Sequence, residues 1–183
     1  MRAIFSLLLL LPLLAACAEP ARVTGMTGQN LASASVTADP TVAGTVTVGN
    51  VIGGTETNKL YRPGVDDVAF KEALQQSLQA NGLLGDPAMA RFNIEANIYE
   101  VRQPWVHLGL SQDAEAIVQY RVYHEADSSL WFSQDLYSTG SASFGDAIIG
   151  IDQRRVAIEK AMASNIDQFI AILLEKLGRP LGT

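Results

Sequence analysis

The sequence predicts an α+β fold of two layers, a four-stranded, mostly antiparallel sheet with two helices on one face. Its regular segments follow the order β-α-β-β-β-α. The strand segments alternate apolar and polar residues, which is typical of a sheet packed on one side and solvated on the other. Each helical segment carries one apolar stripe, which a helix buries against a second layer.

The first strand is predicted over Thr45–Ile52, where β-branched residues alternate before a pair of glycines. Asp66 then provides the N-cap of a helix that runs to about Asn81. Gly82 follows at the position where a left-handed residue commonly ends a helix. The apolar face of this helix carries Phe70, Ala73, Leu74 and Leu78, and Val65 and Phe70 are placed as a hydrophobic staple.

Three further strands are predicted over Arg91–Val101, Ala114–His124 and Leu130–Tyr137. The short segment Asp127–Ser129 makes the last two a hairpin, whereas residues 103–113 form a longer, apolar loop. A final helix is predicted from an Asp152 cap to Leu177, ended by Gly178 and Pro180. Its stripe consists of Ile158, Met162, Ile166, Phe169, Leu173 and Leu177.

The N-terminus has the features of a secretory signal peptide. Arg2 is followed by an apolar run over residues 3–16, which ends in small residues. The run of about 14 residues is shorter than the roughly 20 that a membrane-spanning helix needs. We therefore expect residues 1–16 to be removed on export.

The last residues of that run, Leu14-Ala15-Ala16-Cys17, resemble the lipobox of bacterial lipoproteins. The resemblance implies cleavage between Ala16 and Cys17 and a covalent lipid on Cys17, with palmitate among its acyl chains. Ala18 stands where such lipoproteins of enterobacteria carry an inner-membrane retention Asp, so the expected location is the outer membrane, on its periplasmic face. The alternative is an ordinary signal peptide with a chance cysteine at the cleavage point.

The mature chain is predicted to consist of a lipidated tether, residues 17–42, and one periplasmic domain, residues 43–183. The tether prediction rests on a segment rich in Ala, Thr, Ser and Gly that lacks aromatic residues. A flexible coil of about 25 residues reaches about 28 Å, enough to hold the domain clear of the bilayer.

The order of these elements resembles that of known lipoproteins. The signal, the lipobox, the helix sequence Phe70-Lys71-Glu72-Ala73-Leu74 and the later strands and helix are similar to small outer-membrane lipoproteins of the YajG-like type. In element order they also resemble the LptE-like lipoprotein of lipopolysaccharide assembly. The resemblance implies a small α+β domain facing the periplasm.

The composition argues against several function classes. A net charge of -6 disfavours a nucleic-acid partner. One cysteine excludes an internal disulfide, and His107 and His124 lie on different segments without a metal-binding spacing. Capping explains the pair Asp66-Asp67. We expect no enzyme activity, no metal and no cofactor beyond the lipid on Cys17.

Two apolar loops are candidate contact sites. One contains Trp105 and Leu108, and the other contains Phe144, Ile148 and Ile149. Their side chains either fold back onto the domain or contact a partner protein or lipid acyl chains.

The favoured function is therefore that of an accessory, partner-binding envelope lipoprotein. A lipid-handling factor in lipopolysaccharide or outer-membrane assembly is the alternative, which clustering of Arg91, Arg102 and Arg121 on one sheet face would support. A periplasmic enzyme is the least favoured, since no nucleophile, metal or cofactor constellation is visible.

Overall fold

The structure is a computed structural model that describes residues 18–29, 41–58, 62–103 and 111–178. The predicted α+β fold and the order of its sheet strands and two main helices are confirmed within these residues. The described elements are helices α1 (Val23–Met26), α2 (Asp67–Ala80) and α3 (Gly150–Gly178), and strands β1 (Val46–Ile52), β2 (Phe92–Arg102), β3 (Ser111–His124) and β4 (Leu130–Ser143).

The sheet has the strand order β1-β2-β3-β4. Strands β1 and β2 are parallel, because α2 returns the chain to the end where β1 began, and the other pairs are antiparallel. Strands β1, β2 and β4 therefore end on the same side of the sheet, at the strand ends where β3 begins and Ser111 pairs with Ser143. Both α2 and α3 start at these strand ends, which we call the helix-start end.

Local signals fix the ends of α2 as predicted. The carboxylate of Asp66 accepts hydrogen bonds from two backbone N–H groups of the first turn, at 2.9 and 3.1 Å. At the other end Gly82 has a φ of 69°. The N–H groups of Gly82 and Leu83 donate back to carbonyls of the last turn, which is the Schellman arrangement. The buried staple residues Val65 and Phe70 belong to the core.

Helix α3 packs across β4 and β3 and approaches β4 unusually closely. A Cβ added to Gly140 would overlap the backbone of Ala157 and Ala161. The Ser138 hydroxyl donates to the Ala161 carbonyl at 2.9 Å. This contact explains why β4 extends to Ser143, beyond the predicted end at Tyr137, since its second half presents small residues to the helix instead of an apolar alternation.

A buried polar network holds the same two layers together. The Tyr120 hydroxyl donates to Oδ1 of Asn165 at 2.9 Å, and the Asn165 amide donates to the Leu136 carbonyl and to the Ser138 hydroxyl, each at 3.0 Å. The Tyr120 ring stacks on Phe169 with 4.0 Å between centroids. Complete burial raises the pKa of Tyr120 well above its ordinary value, so the phenol remains a hydrogen-bond donor.

Two sequence expectations need correction. The predicted flexible tether, residues 17–42, includes residues 18–29, which instead pack on the domain: Val23–Met26 form α1, and Ala21 and Met26 are buried. Specific polar contacts, described below, hold this segment despite its lack of aromatic residues. Helix α3 begins at Gly150 and not after an Asp152 cap; the Asp152 carboxylate accepts from Arg155 instead, at 3.3 Å.

None of the described helices is both long and apolar enough to cross a membrane.

The close approach at Gly140 leads to a prediction about stability. Gly140→Ala should lower the free energy of unfolding by about 2–3 kcal/mol, because backbone atoms of α3 cannot move aside as a side chain could. Gly145→Ala is the matched control, since its Cβ would meet only the Ser143 hydroxyl, at 3.7 Å. Urea unfolding of both variants measures the difference, and equal midpoints would contradict the proposed contact.

Candidate functional site

The segment 18–29 lies along the groove between α2 and α3 and runs in the same direction as both helices. Its contacts progress along them in order: Ala21 N donates to the Gly64 carbonyl, Arg22 binds Glu159, Gly28 N donates to the Ser77 hydroxyl, and Gln29 N donates to Asp167. The residues nearest Cys17 in sequence are therefore those nearest the helix-start end, and Ala18 is already buried, at 5% exposure.

The Glu159 carboxylate is the centre of this contact. It accepts from the backbone N–H of Arg22 at 2.9 Å and from the Arg22 guanidinium at 3.1 and 3.3 Å. Arg155, one turn earlier on α3, donates to the same carboxylate at 3.1 Å. The Glu159 side chain is only 3% exposed and that of Arg155 9%, whereas the Arg22 side chain is 56% exposed. Glu159 and Arg155 therefore compensate each other's charge in a buried pair, and Arg22 covers that pair from the solvent side.

Small residues let the segment come this close. A Cβ at Gly25 would overlap the Glu159 side chain, and one at Gly28 would overlap the Asp167 carboxylate. The hydrogen bond that the Arg22 guanidinium donates to Glu159 is the main cause of the raised pKa of Arg22. Sequence reasoning missed this cluster, because Arg22 and Glu159 lie 137 positions apart and neither belongs to a motif.

The 144–149 loop lies at the helix-start end and connects β4 to α3. Asp146 joins this loop to α3 and to the end of β4. Its carboxylate accepts hydrogen bonds from Lys160 Nζ at 2.6 Å and from the Ser143 N–H at 2.9 Å. The bond from Lys160 is the first cause that lowers the pKa of Asp146. The side-chain amide of Gln153, in the first turn of α3, donates to the Ala147 carbonyl at 2.8 Å.

The apolar side chains of this loop do not fold back onto the domain. Ile148 is 82% exposed, Phe144 54% and Ile149 43%. Exposed apolar side chains that follow one another in a loop mark a contact site more often than isolated ones do. Phe144, Ile148 and Ile149 are therefore accessible to solvent, and the contact with a partner stays a prediction.

Other predicted site residues lie outside the described residues. These are Ala16 and Cys17 at the expected cleavage site and His107, Trp105 and Leu108 in the first apolar loop. His124 is described: its ring packs at 5.1 Å from Phe92 and at 6.2 Å from Trp131. Within the described ranges, no group of three or more His, Cys, Asp or Glu side chains could hold a metal ion.

The three arginines of the lipid-handling hypothesis occupy separate places. Arg91 precedes β2 and donates to the Thr41 carbonyl at 3.1 Å. Arg102 ends the same strand and donates to Glu100 at 2.6 Å. Arg121 lies on the solvated face of β3, opposite Glu95. Acidic side chains accompany two of them, so they do not form a basic patch.

The solvated face of the sheet holds a shallow polar cavity of about 180 Å³. It is lined by Asn93, Glu95, Tyr123, Glu125 and Ser128. These residues contribute an amide, two carboxylates, a phenol and a hydroxyl, and no histidine or cysteine is among them.

No protein-family model matches the sequence, and no curated protein matches it significantly. Solved structures do share its fold. Protein XCC0632 from Xanthomonas campestris, of the DUF330 family, has a TM-score of 0.59 and 10% identity, over 86% of this chain and 94% of that one.

Two further structures give similar values. A candidate lipoprotein from Caulobacter crescentus has a TM-score of 0.52 and 13% identity, over 80% of this chain and 98% of that one. The hypothetical protein CT253 from Chlamydia trachomatis has a TM-score of 0.50 and 16% identity, over 74% and 98%. At these identities the likeness shows a common fold.

The charge cluster yields a prediction about local order. Glu159→Gln should lower the free energy of unfolding by about 2–3 kcal/mol, because it leaves the buried Arg155 with Asp152 alone. Hydrogen exchange should accelerate in residues 18–29, since Arg22 loses its ionic partner. Glu125→Gln is the control, because Glu125 is exposed and lies at the end of the domain opposite the helix-start end. It should change the free energy of unfolding by less than about 0.5 kcal/mol. Unchanged exchange in residues 18–29 would show that Glu159 does not hold the segment.

Proposed function

We propose that the chain is the precursor of a lipid-anchored lipoprotein of the bacterial cell envelope. Cys17 carries the lipid, the outer membrane holds it on the periplasmic face, and the domain acts by binding and not by catalysis. The observation that carries the proposal is the sequence Leu14-Ala15-Ala16-Cys17 at the end of a short apolar run behind Arg2.

The packing of the next residues supports this assignment. Ala18 and Ala21 are buried at 5% and 3% exposure, and the groove between α2 and α3 holds residues 18–29. Cleavage before Cys17 leaves all of these residues in the mature protein. A candidate lipoprotein from Caulobacter crescentus has the same fold, which is consistent with an envelope role.

A binding role is supported by the exposed apolar side chains of the 144–149 loop. Phe144 and Ile148 carry a hydration cost in the free domain that a contact would remove. The favoured role is therefore an accessory, partner-binding one. Lipid handling in outer-membrane assembly receives less support, because Arg102 is paired with Glu100 and Arg121 lies opposite Glu95.

The anchor is tested at the cysteine itself. Cys17→Ser in the full-length precursor should abolish labelling by radioactive palmitate and release the protein from washed membranes. A serine hydroxyl lacks the nucleophilicity of a thiolate, and each buried methylene lost with the acyl chains contributes about 0.8 kcal/mol.

Glu19→Gln is the control, since it changes an exposed neighbour of the cysteine and keeps the thiol. It should retain both the label and the membrane fraction. Palmitate label that persists in Cys17→Ser would contradict the anchor, and an unlabelled wild-type protein in the soluble periplasmic fraction would favour the ordinary signal peptide.

A further inference from the structure

We propose that the 144–149 loop is a membrane-docking site, through which the helix-start end of the domain rests on the lipid bilayer that holds Cys17. This inference rests on the proposed function, because the acyl chains on Cys17 determine which membrane the domain meets. It adds to that function an orientation and a contact surface.

The connection between the proposed anchor and the domain is short. Three residues, of which Glu19 and Pro20 are exposed, separate Cys17 from Ala21, and consecutive Cα atoms are about 3.8 Å apart. Ala21 is bonded to Gly64, two residues before the cap of α2. A flexible coil would have let the domain turn freely, whereas this segment fixes it.

The segment that follows the proposed anchor runs toward the same end of the domain as the 144–149 loop. Glu159, which holds Arg22, lies nine residues along α3 from Gly150, or about 13 Å. Four residues of fully extended chain cover a similar length, about 13 Å. The chain from Arg22 back to Ala18 is therefore long enough to reach the level at which α3 starts, and the 144–149 loop leads directly into that start.

The 144–149 loop presents apolar side chains to solvent at this end: Ile148 is 82% exposed, Phe144 54% and Ile149 43%. With 13 basic and 19 acidic residues, the chain has no net attraction to anionic lipid headgroups. A stable contact with a bilayer must then come from inserting apolar side chains, which these residues supply.

The one charge in the loop does not oppose docking. Both carboxylate oxygens of Asp146 are satisfied, one by Lys160 Nζ at 2.6 Å and the other by the Ser143 N–H at 2.9 Å. Bringing the loop to the membrane interface therefore leaves no unpaired carboxylate to desolvate.

The position of the anchor also selects the bilayer over a protein as the occupant. Once Cys17 is acylated, a protein that covered the 144–149 loop would have to fit between the helix-start end and a membrane that lies within four residues of Ala21. The lipid surface is already there once Cys17 is acylated.

The experiment uses the lipidated full-length protein, whose one native cysteine is blocked by the lipid. Ile148→Cys then provides a single free thiol for an environment-sensitive fluorophore. The purified protein is placed in vesicles of phosphatidylethanolamine and phosphatidylglycerol that carry a nitroxide on their acyl chains. We expect a blue shift and loss of emission, because the probe enters the interface.

Met89→Cys is the matched control. Met89 is 76% exposed, close to the 82% of Ile148, but it lies before β2 at the opposite end of the domain. Its probe should emit as in water and escape the lipid-borne quencher. Both side chains are exposed, so neither substitution should perturb folding, and urea midpoints check this.

The outcomes separate the two proposals. If mass spectrometry shows an acylated protein but both probes remain in water, docking is overturned and the lipoprotein assignment stands. If the wild-type protein carries no lipid, the proposed function itself fails and docking fails with it. If the Ile148→Cys probe is shielded in native outer membranes but not in pure lipid vesicles, a protein partner covers the loop and the bilayer proposal is wrong.

Discussion

The bond between Glu159 and Arg22 is the interaction on which the placement of residues 18–29 against the domain depends. It ties Arg22, five residues after Cys17, to the first third of α3, the longest of the described helices. The carboxylate is buried and paired with the buried Arg155, and it has a second cationic partner in the half-exposed Arg22. These contacts hold residues 18–29 in the groove between α2 and α3.

The position of residues 18–29 relative to the sheet is defined because α3 itself packs firmly on the sheet. Gly140 brings the helix backbone against β4, and Asn165 joins Tyr120 on β3 to Ser138 on β4. The helix thus receives the N-terminal segment on one side and two strands on the other. Rotation of α3 would break all of these contacts together, which makes the groove, the sheet and the helix start one rigid unit.

The sequence predicted what local chemistry decides. Alternation gave the strands, and Asp66 and Gly82 marked the ends of α2, because caps and turns depend on a few neighbouring residues. It could not predict the packing of residues 18–29, whose partners lie up to 138 positions away. It also ended β4 too early, since small residues chosen for close helix packing give no apolar alternation. Burial of Phe144 and Ile148 depends on tertiary packing. The sequence alone therefore left open whether they fold back onto the domain or contact a partner protein or lipid.

The fixed segment changes what the region after the cysteine can do. A coil from residue 17 to residue 42 would have separated the domain from the membrane by about 28 Å and left its orientation random. With residues 18–29 held by Glu159 instead, the proposed lipid on Cys17 would bring the helix-start end toward the bilayer. In that orientation the polar face of the sheet that includes Glu95 and Arg121 would stand open at the side of the domain. The contacts of one buried carboxylate would thereby decide which surfaces of the protein are available to other molecules.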